Sequence, residues 1–105
     1  MKQPNLSYIE KLANGDEKFS KSLIEIIKKE LPNEIDLYCN NMKNTNFENA
    51  ASDVHKIKHK INILSFKQGY KVALMHENSL KNGNNTYQEQ FDKVLKTLTN
   101  YIQLI

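Results

Sequence analysis

Apolar residues recur along this chain at steps of three and four, the repeat that lines one face of a helix. Phe47, Ala50, Val54, Ile57, Ile61 and Leu64 follow 3-4-3-4-3 spacing, which predicts a helix over about Phe47 to Leu64 with a narrow bundle seam. Tyr87, Phe91, Val94, Leu98, Tyr101 and Ile105 step 4-3-4-3-4 and predict a last helix, with Thr86 as its cap. Phe19, Leu23, Ile26, Ile27, Leu31, Ile35, Tyr38 and Met42 keep helical spacing through Pro32. One long bent helix is therefore expected from Asp16 to about Met42, the proline removing a donor and kinking the axis. Tyr70, Ala73, Leu74, Glu77 and Leu80 mark another helix over about Lys67 to Asn82. Near the start, Ser7 followed three residues later by Glu10 reads as the capping box of a short first helix.

Turn signals separate these segments: Asn14-Gly15, Lys43-Asn44-Thr45-Asn46, Ser65-Phe66 and Asn82-Gly83-Asn84-Asn85. No sustained period-two alternation bounded by turns is present, so no strand is expected. Four amphipathic helices with short connections predict an all-α fold, an antiparallel up-down four-helix bundle with a short extra helix at the N-terminus. With 105 residues, no repeat and no Pro/Gly-rich linker, residues 1–105 read as a single domain.

Composition adds little until it is mapped. Net charge is +3, yet residues 1–53 hold seven lysines against nine acids, residues 54–76 hold five lysines and no acid, and residues 77–105 balance at three each. The basic excess thus sits around Val54–His76, where it would steer an acidic or phosphorylated partner; a solvated lysine-rich face is the plainer reading of such a run. All fifteen basic residues are lysine, so the bidentate arginine forks of guanine and phosphate readers are missing and nucleic acid is not an expected partner. Cys39 has no partner for a disulfide, no run approaches the ~20 apolar residues of a membrane span, and Met1-Lys2-Gln3-Pro4-Asn5 carries no apolar signal region. A cytoplasmic location is expected.

Within the basic stretch, His55, Lys58, His59 and Asn62 are three or four residues apart and form one polar strip beside the Val54–Ile57–Ile61 seam. A lone histidine beside a seam is most often structural. His55 and His59 have the four-residue spacing of a metal pair, but no His-Glu-x-x-His or cysteine cluster supplies the further ligands zinc normally needs, so neither metal nor cofactor is expected. His76 falls on another helix and reads as an exposed polar position. No glycine-rich phosphate loop or kinase signature is present.

The order of elements, with His55-Lys56-Ile57-Lys58 on the third helix, resembles the histidine phosphotransfer (HPt) domain of bacterial phosphorelays, and the likeness spans nearly the whole chain. Asn5-Leu6-Ser7-Tyr8-Ile9 is similar to the opening short helix of these domains, and Gly15-Asp16-Glu17-Lys18-Phe19 to the start of their long second helix. Leu31-Pro32 falls where that helix commonly carries proline, and Asn46-Phe47-Glu48 resembles the turn before the phosphoacceptor helix. The family pattern His-x-(Leu/Ile)-Lys-Gly is matched from His55 to Lys58. It departs at the fifth place, where His59 replaces the glycine thought to leave room for an incoming receiver domain; a later glycine is replaced by Ser65.

The resemblance implies a phosphocarrier and not an enzyme. His55 would take a phosphoryl group from a receiver-domain aspartate and pass it to another receiver, with metal and most of the catalysis supplied by the partner. It implies Lys58 as a mobile charge on a phosphate oxygen, Lys56 and Lys60 as rim charges, Asn62 as a further donor, and His59 as an obstruction or a hydrogen-bonding group. Partners would be receiver domains of response regulators or hybrid histidine kinases, met by a monomer and away from any membrane. The alternative is a helical adaptor that binds a receiver or another signalling protein without carrying phosphate.

Overall fold

Five helices follow one another through residues 3–105, the part of the chain that the computed structural model describes; Met1 and Lys2, the first of the residues without signal character, lie outside it. They are α1 (Ser7–Ala13), α2 (Glu17–Lys43), α3 (Phe47–Ile63), α4 (Lys67–Lys81) and α5 (Gln88–Ile102). No strand occurs among the described residues. Side-chain pairings set the directions. Asn41 Nδ2 donates to Asp53 Oδ2 at 2.6 Å while Lys60 Nζ donates to Glu34 Oε2 at 2.9 Å, so α3 runs back along α2. Lys58 on α3 meets Glu77 on α4, and Tyr38 on α2 stacks edge-on against Phe91 on α5 with centroids 5.1 Å apart. With α5 closing on α2, the four long helices form an antiparallel up-down bundle and α1 packs on α2.

The bundle buries the expected seams. Ala50, Val54, Ile57, Ile61 and Leu64 of the α3 stripe are buried, as are Phe91, Val94 and Leu98 of α5. On α2 the stripe is narrower than its spacing suggested: Ile27, Leu31, Tyr38 and Met42 are buried, whereas Phe19 and Ile26 are exposed. Ile26 turns outward because Ile27, about 100° further round, takes the core position, and length explains Phe19. Twenty-seven residues of α2 span about 40 Å, against about 25 Å for the 17 of α3. The first turns of α2 therefore overhang the end of α3. Pro32 sits inside α2 without ending it.

Two capping expectations change. Ser7 is not a cap: Leu6 occupies that place, and Asn5 Oδ1 accepts from the Ser7 amide at 2.9 Å. Thr86 is not the cap of α5 either; Tyr87 is, while Thr86 Oγ1 donates to Asn84 Oδ1 at 3.0 Å. Asp16 does cap α2, accepting from the Phe19 amide at 3.1 Å. At their C-termini, α2, α3 and α4 share one device. The amides of Asn46, Phe66 and Asn84 reach back to the carbonyls of Asn41, Ile61 and Ser79, around left-handed Thr45 (φ 54°), Ser65 (φ 58°) and Gly83 (φ 82°). Only Gly83 adopts that conformation without strain. Thr45→Gly is expected to raise stability by about 1 kcal/mol, measured as a higher urea midpoint at unchanged slope.

The largest departure is on α4. His76, read as an exposed position, is fully buried, and Leu74, read as core, is 41% exposed. Ala73, His76 and Leu80 are the residues that continue the 3-4 seam. His76 Nε2 and Tyr38 Oη are 2.7 Å apart, Phe91 packs on both rings, and His76 Nδ1 has no partner among the described residues. Burial pushes the imidazole down to about 4, so it is neutral in the core, and burial likewise raises the Tyr38 hydroxyl.

Candidate functional site

The seam of α3 determines which of its polar residues reach water. Val54 and Ile57 face the core, and the next position round from Val54 brings His55 to the α3–α4 border with 51% of its side chain exposed. Across that border stands Glu77 of α4, its side chain only 4% exposed. Glu77 Oε2 lies 3.0 Å from His55 Nδ1 and 3.2 Å from Lys81 Nζ, and Oε1 lies 2.8 Å from Lys58 Nζ. Burial by itself would raise the Glu77 carboxyl. Hydrogen bonds from Lys58, Lys81 and His55 and the Lys58 charge outweigh burial and hold the group below the usual carboxylate range.

An ionised carboxylate only accepts, so Nδ1 of His55 must carry the proton that it donates to Glu77. In the neutral ring this leaves Nε2 with a bare lone pair on the solvent side. His59 stands one turn on, its Nε2 3.2 Å from His55 Nε2 and its ring edge-on at 4.7 Å between centroids. Since His55 Nε2 accepts, His59 Nε2 is the donor. The arrangement presents one imidazole lone pair, fixed in tautomer from below and touched by a second imidazole from above. Such a nitrogen can act as a nucleophile or as a metal ligand.

No family model, curated protein or solved structure matches the chain.

The geometry alone therefore sorts the residues singled out in the sequence. His55, Lys58 and His59 come together. Lys58 is buried, with its ammonium on Glu77 and 5.8 Å from the Tyr70 ring centroid, so it is a fixed member of the cluster and not a mobile charge in the free protein. Lys60 points to α2, where it pairs with Glu34 at 2.9 Å and Glu30 at 3.2 Å; it is not a free rim charge. Lys56 and Asn62 are exposed and, among the described residues, make no side-chain hydrogen bond to the cluster. Asn62 instead lines a surface groove of about 550 Å³ with Tyr8, Ser65, Phe66, Lys67, Gln68, Tyr70 and Lys71, which adjoins the cluster through Tyr70.

Glu77 and Lys81 are the site residues that the sequence reading passed over. A signal existed for the first: Glu77 is an acid on the apolar stripe of α4, and a carboxylate in such a place needs a cationic partner. Sequence spacing could not say which partner, because Lys58 and His55 lie on another helix.

Proposed function

We propose that this protein is a histidine phosphocarrier in which His55 Nε2 accepts a phosphoryl group from the aspartyl phosphate of a receiver domain and yields it to another receiver. One observation carries the reading: the Glu77 contact at His55 Nδ1, which leaves Nε2 unprotonated on a half-exposed ring. In the forward step the Nε2 lone pair attacks phosphorus, the bond from phosphorus to the aspartyl oxygen breaks, and the carboxylate leaves with that electron pair. Positive charge develops on the imidazole as the new bond forms. Glu77 sits against Nδ1–H to stabilise it, as a buried carboxylate does for the histidine of a catalytic triad. The reaction needs placement and charge compensation more than covalent help from this chain. The groove with Lys67 and Lys71 offers an acidic receiver a cationic surface next to the nucleophile.

The His59 contact on Nε2 favours a second reading, a helical adaptor that binds a receiver without taking phosphate. One experiment separates the two. Incubation with phosphorylated receiver domains, followed by mass mapping, should give acid-labile, base-stable phosphate on His55 in wild type and none in His55→Gln. Equal labelling of both excludes His55, and binding without labelling supports the adaptor. If His59 only obstructs, His59→Gly should transfer as fast as wild type or faster; a large loss would show that this imidazole takes part.

A further inference from the structure

We propose that His55 and His59 form an open two-histidine chelate for a borderline divalent transition ion, Zn2+ being the case tested, with Glu77 as the carboxylate that orients one ligand. The inference stands apart from the phosphocarrier reading, since it uses the same imidazoles but no phosphoryl chemistry.

Three observations carry it. The first is separation. Two nitrogens 3.2 Å apart, each at the 2.0–2.1 Å of a zinc–imidazole bond, subtend roughly 100° at the ion, close to tetrahedral. The second is ring direction. A linear bond between the two Nε2 atoms would put the ring centroids about 5.5 Å apart, and an ion shared along both lone pairs would put them about 5 Å apart. The centroids are 4.7 Å apart with the planes at 90°, so the rings are turned off the line joining the nitrogens, and the spacing is nearer to that of a shared ion than to that of a linear bond. The third is the buried carboxylate. Glu77, 3.0 Å from His55 Nδ1, completes the carboxylate–histidine arrangement that fixes the tautomer and strengthens a ligating imidazole.

The proton balance is simple. His55 Nε2 is already bare, and His59 moves its proton from Nε2 to Nδ1, where solvent reaches it, to free the second lone pair. The charges nearby set the class of ion. Lys58 and Lys81 share the single charge of Glu77, leaving the surroundings cationic. A hard ion held by charge alone is disfavoured there, whereas ions with strong bonds to imidazole nitrogen are preferred. No group of three or more His, Cys, Asp or Glu forms a metal cage among the described residues, so the remaining positions on the ion go to water or to an outside ligand.

The test is titration of the full chain with Zn2+ on a Cys39→Ser background, which removes the exposed thiol, followed by calorimetry and by imidazole 15N shifts. Expected are one ion per chain, movement of the Nε2 signals of both His55 and His59, and none for His76. His55→Gln and His59→Gln should each weaken binding roughly tenfold or more, because the second ligand of a chelate binds at high effective concentration. Both residues are exposed, so circular dichroism should show the variants folded. Binding of His59→Gln as tight as wild type, or movement of only one imidazole, would overturn the proposal.

Discussion

Glu77→Ala is expected to lower the free energy of unfolding by about 3 kcal/mol and to release the tautomer of His55 at the same time. The size follows from what is left behind. Lys58, its side chain 9% exposed, loses the carboxylate 2.8 Å away and keeps only the edge of the bundle and the Tyr70 ring. Breaking a buried pair from one side strands the other charge, which costs far more than the intact pair contributes. Lys81 adds little, because its side chain is 61% exposed and water screens it. The pH dependence has a definite sign. Glu77 is held below its unfolded value in the folded chain, so its contribution is fully present at neutral pH, begins to fall once pH drops into the ordinary carboxylate range, where the unfolded chain takes up the proton, and is gone below the lowered value. Urea unfolding at neutral pH measures the first effect. Imidazole 15N shifts measure the second: in wild type His55 should carry its proton on Nδ1, and in Glu77→Ala that preference should vanish. Loss of such an orienting carboxylate costs about 10- to 100-fold at metal sites, and a reduction on that order is expected for phosphoryl uptake. A stability loss under about 1 kcal/mol with an unchanged His55 tautomer would mean that the cluster is only a surface ion pair.

What the sequence could and could not disclose follows from the range of the interactions. Helix positions were legible because the 3-4 seams of α3 and α5 are local patterns, and Asn-Gly pairs and prolines act on their own neighbours. The long α2 was legible for the same reason. The exposure of Phe19 was not, since it depends on how far α3 extends beside it, nor was that of Ile26, since the stripe offers both Ile26 and Ile27 and packing takes Ile27. His55 at the bundle edge could be placed from Val54 alone, one residue away. The Glu77 contact could not, because it joins residues 22 positions apart across the α3–α4 border. The same limit reversed the reading of Lys58, whose partner lies 19 positions away, and of His76, whose hydroxyl partner lies 38 positions away. Spacing assigns a residue to a face. Only packing says whether that face meets water, an opposite charge or another ring.

His76 supplies the second large expectation, a loss of about 3 kcal/mol of stability as pH falls from 6.5 to about 4. In that window the unfolded chain binds a proton at this imidazole and the folded chain does not, so protonation draws the equilibrium toward unfolding. Among the described residues no acid pairs with a charged ring: Nε2 meets the Tyr38 hydroxyl, Nδ1 has no partner, and the Phe91 ring packs against it. Exposed histidines also titrate near this range, so the informative quantity is the difference between wild type and a Tyr38→Phe, His76→Leu double variant. At pH 7 the double variant should be at least as stable as wild type, because it removes a buried nitrogen that lacks a partner along with the hydroxyl that satisfies the other. As pH falls to about 4 its advantage should grow by roughly the amount the buried imidazole loses. Parallel curves for the two proteins, measured by urea unfolding across the window, would show that His76 takes up its proton without leaving the core. A steeper fall in wild type would identify the Tyr38–His76 pair as the point where acid opens this bundle.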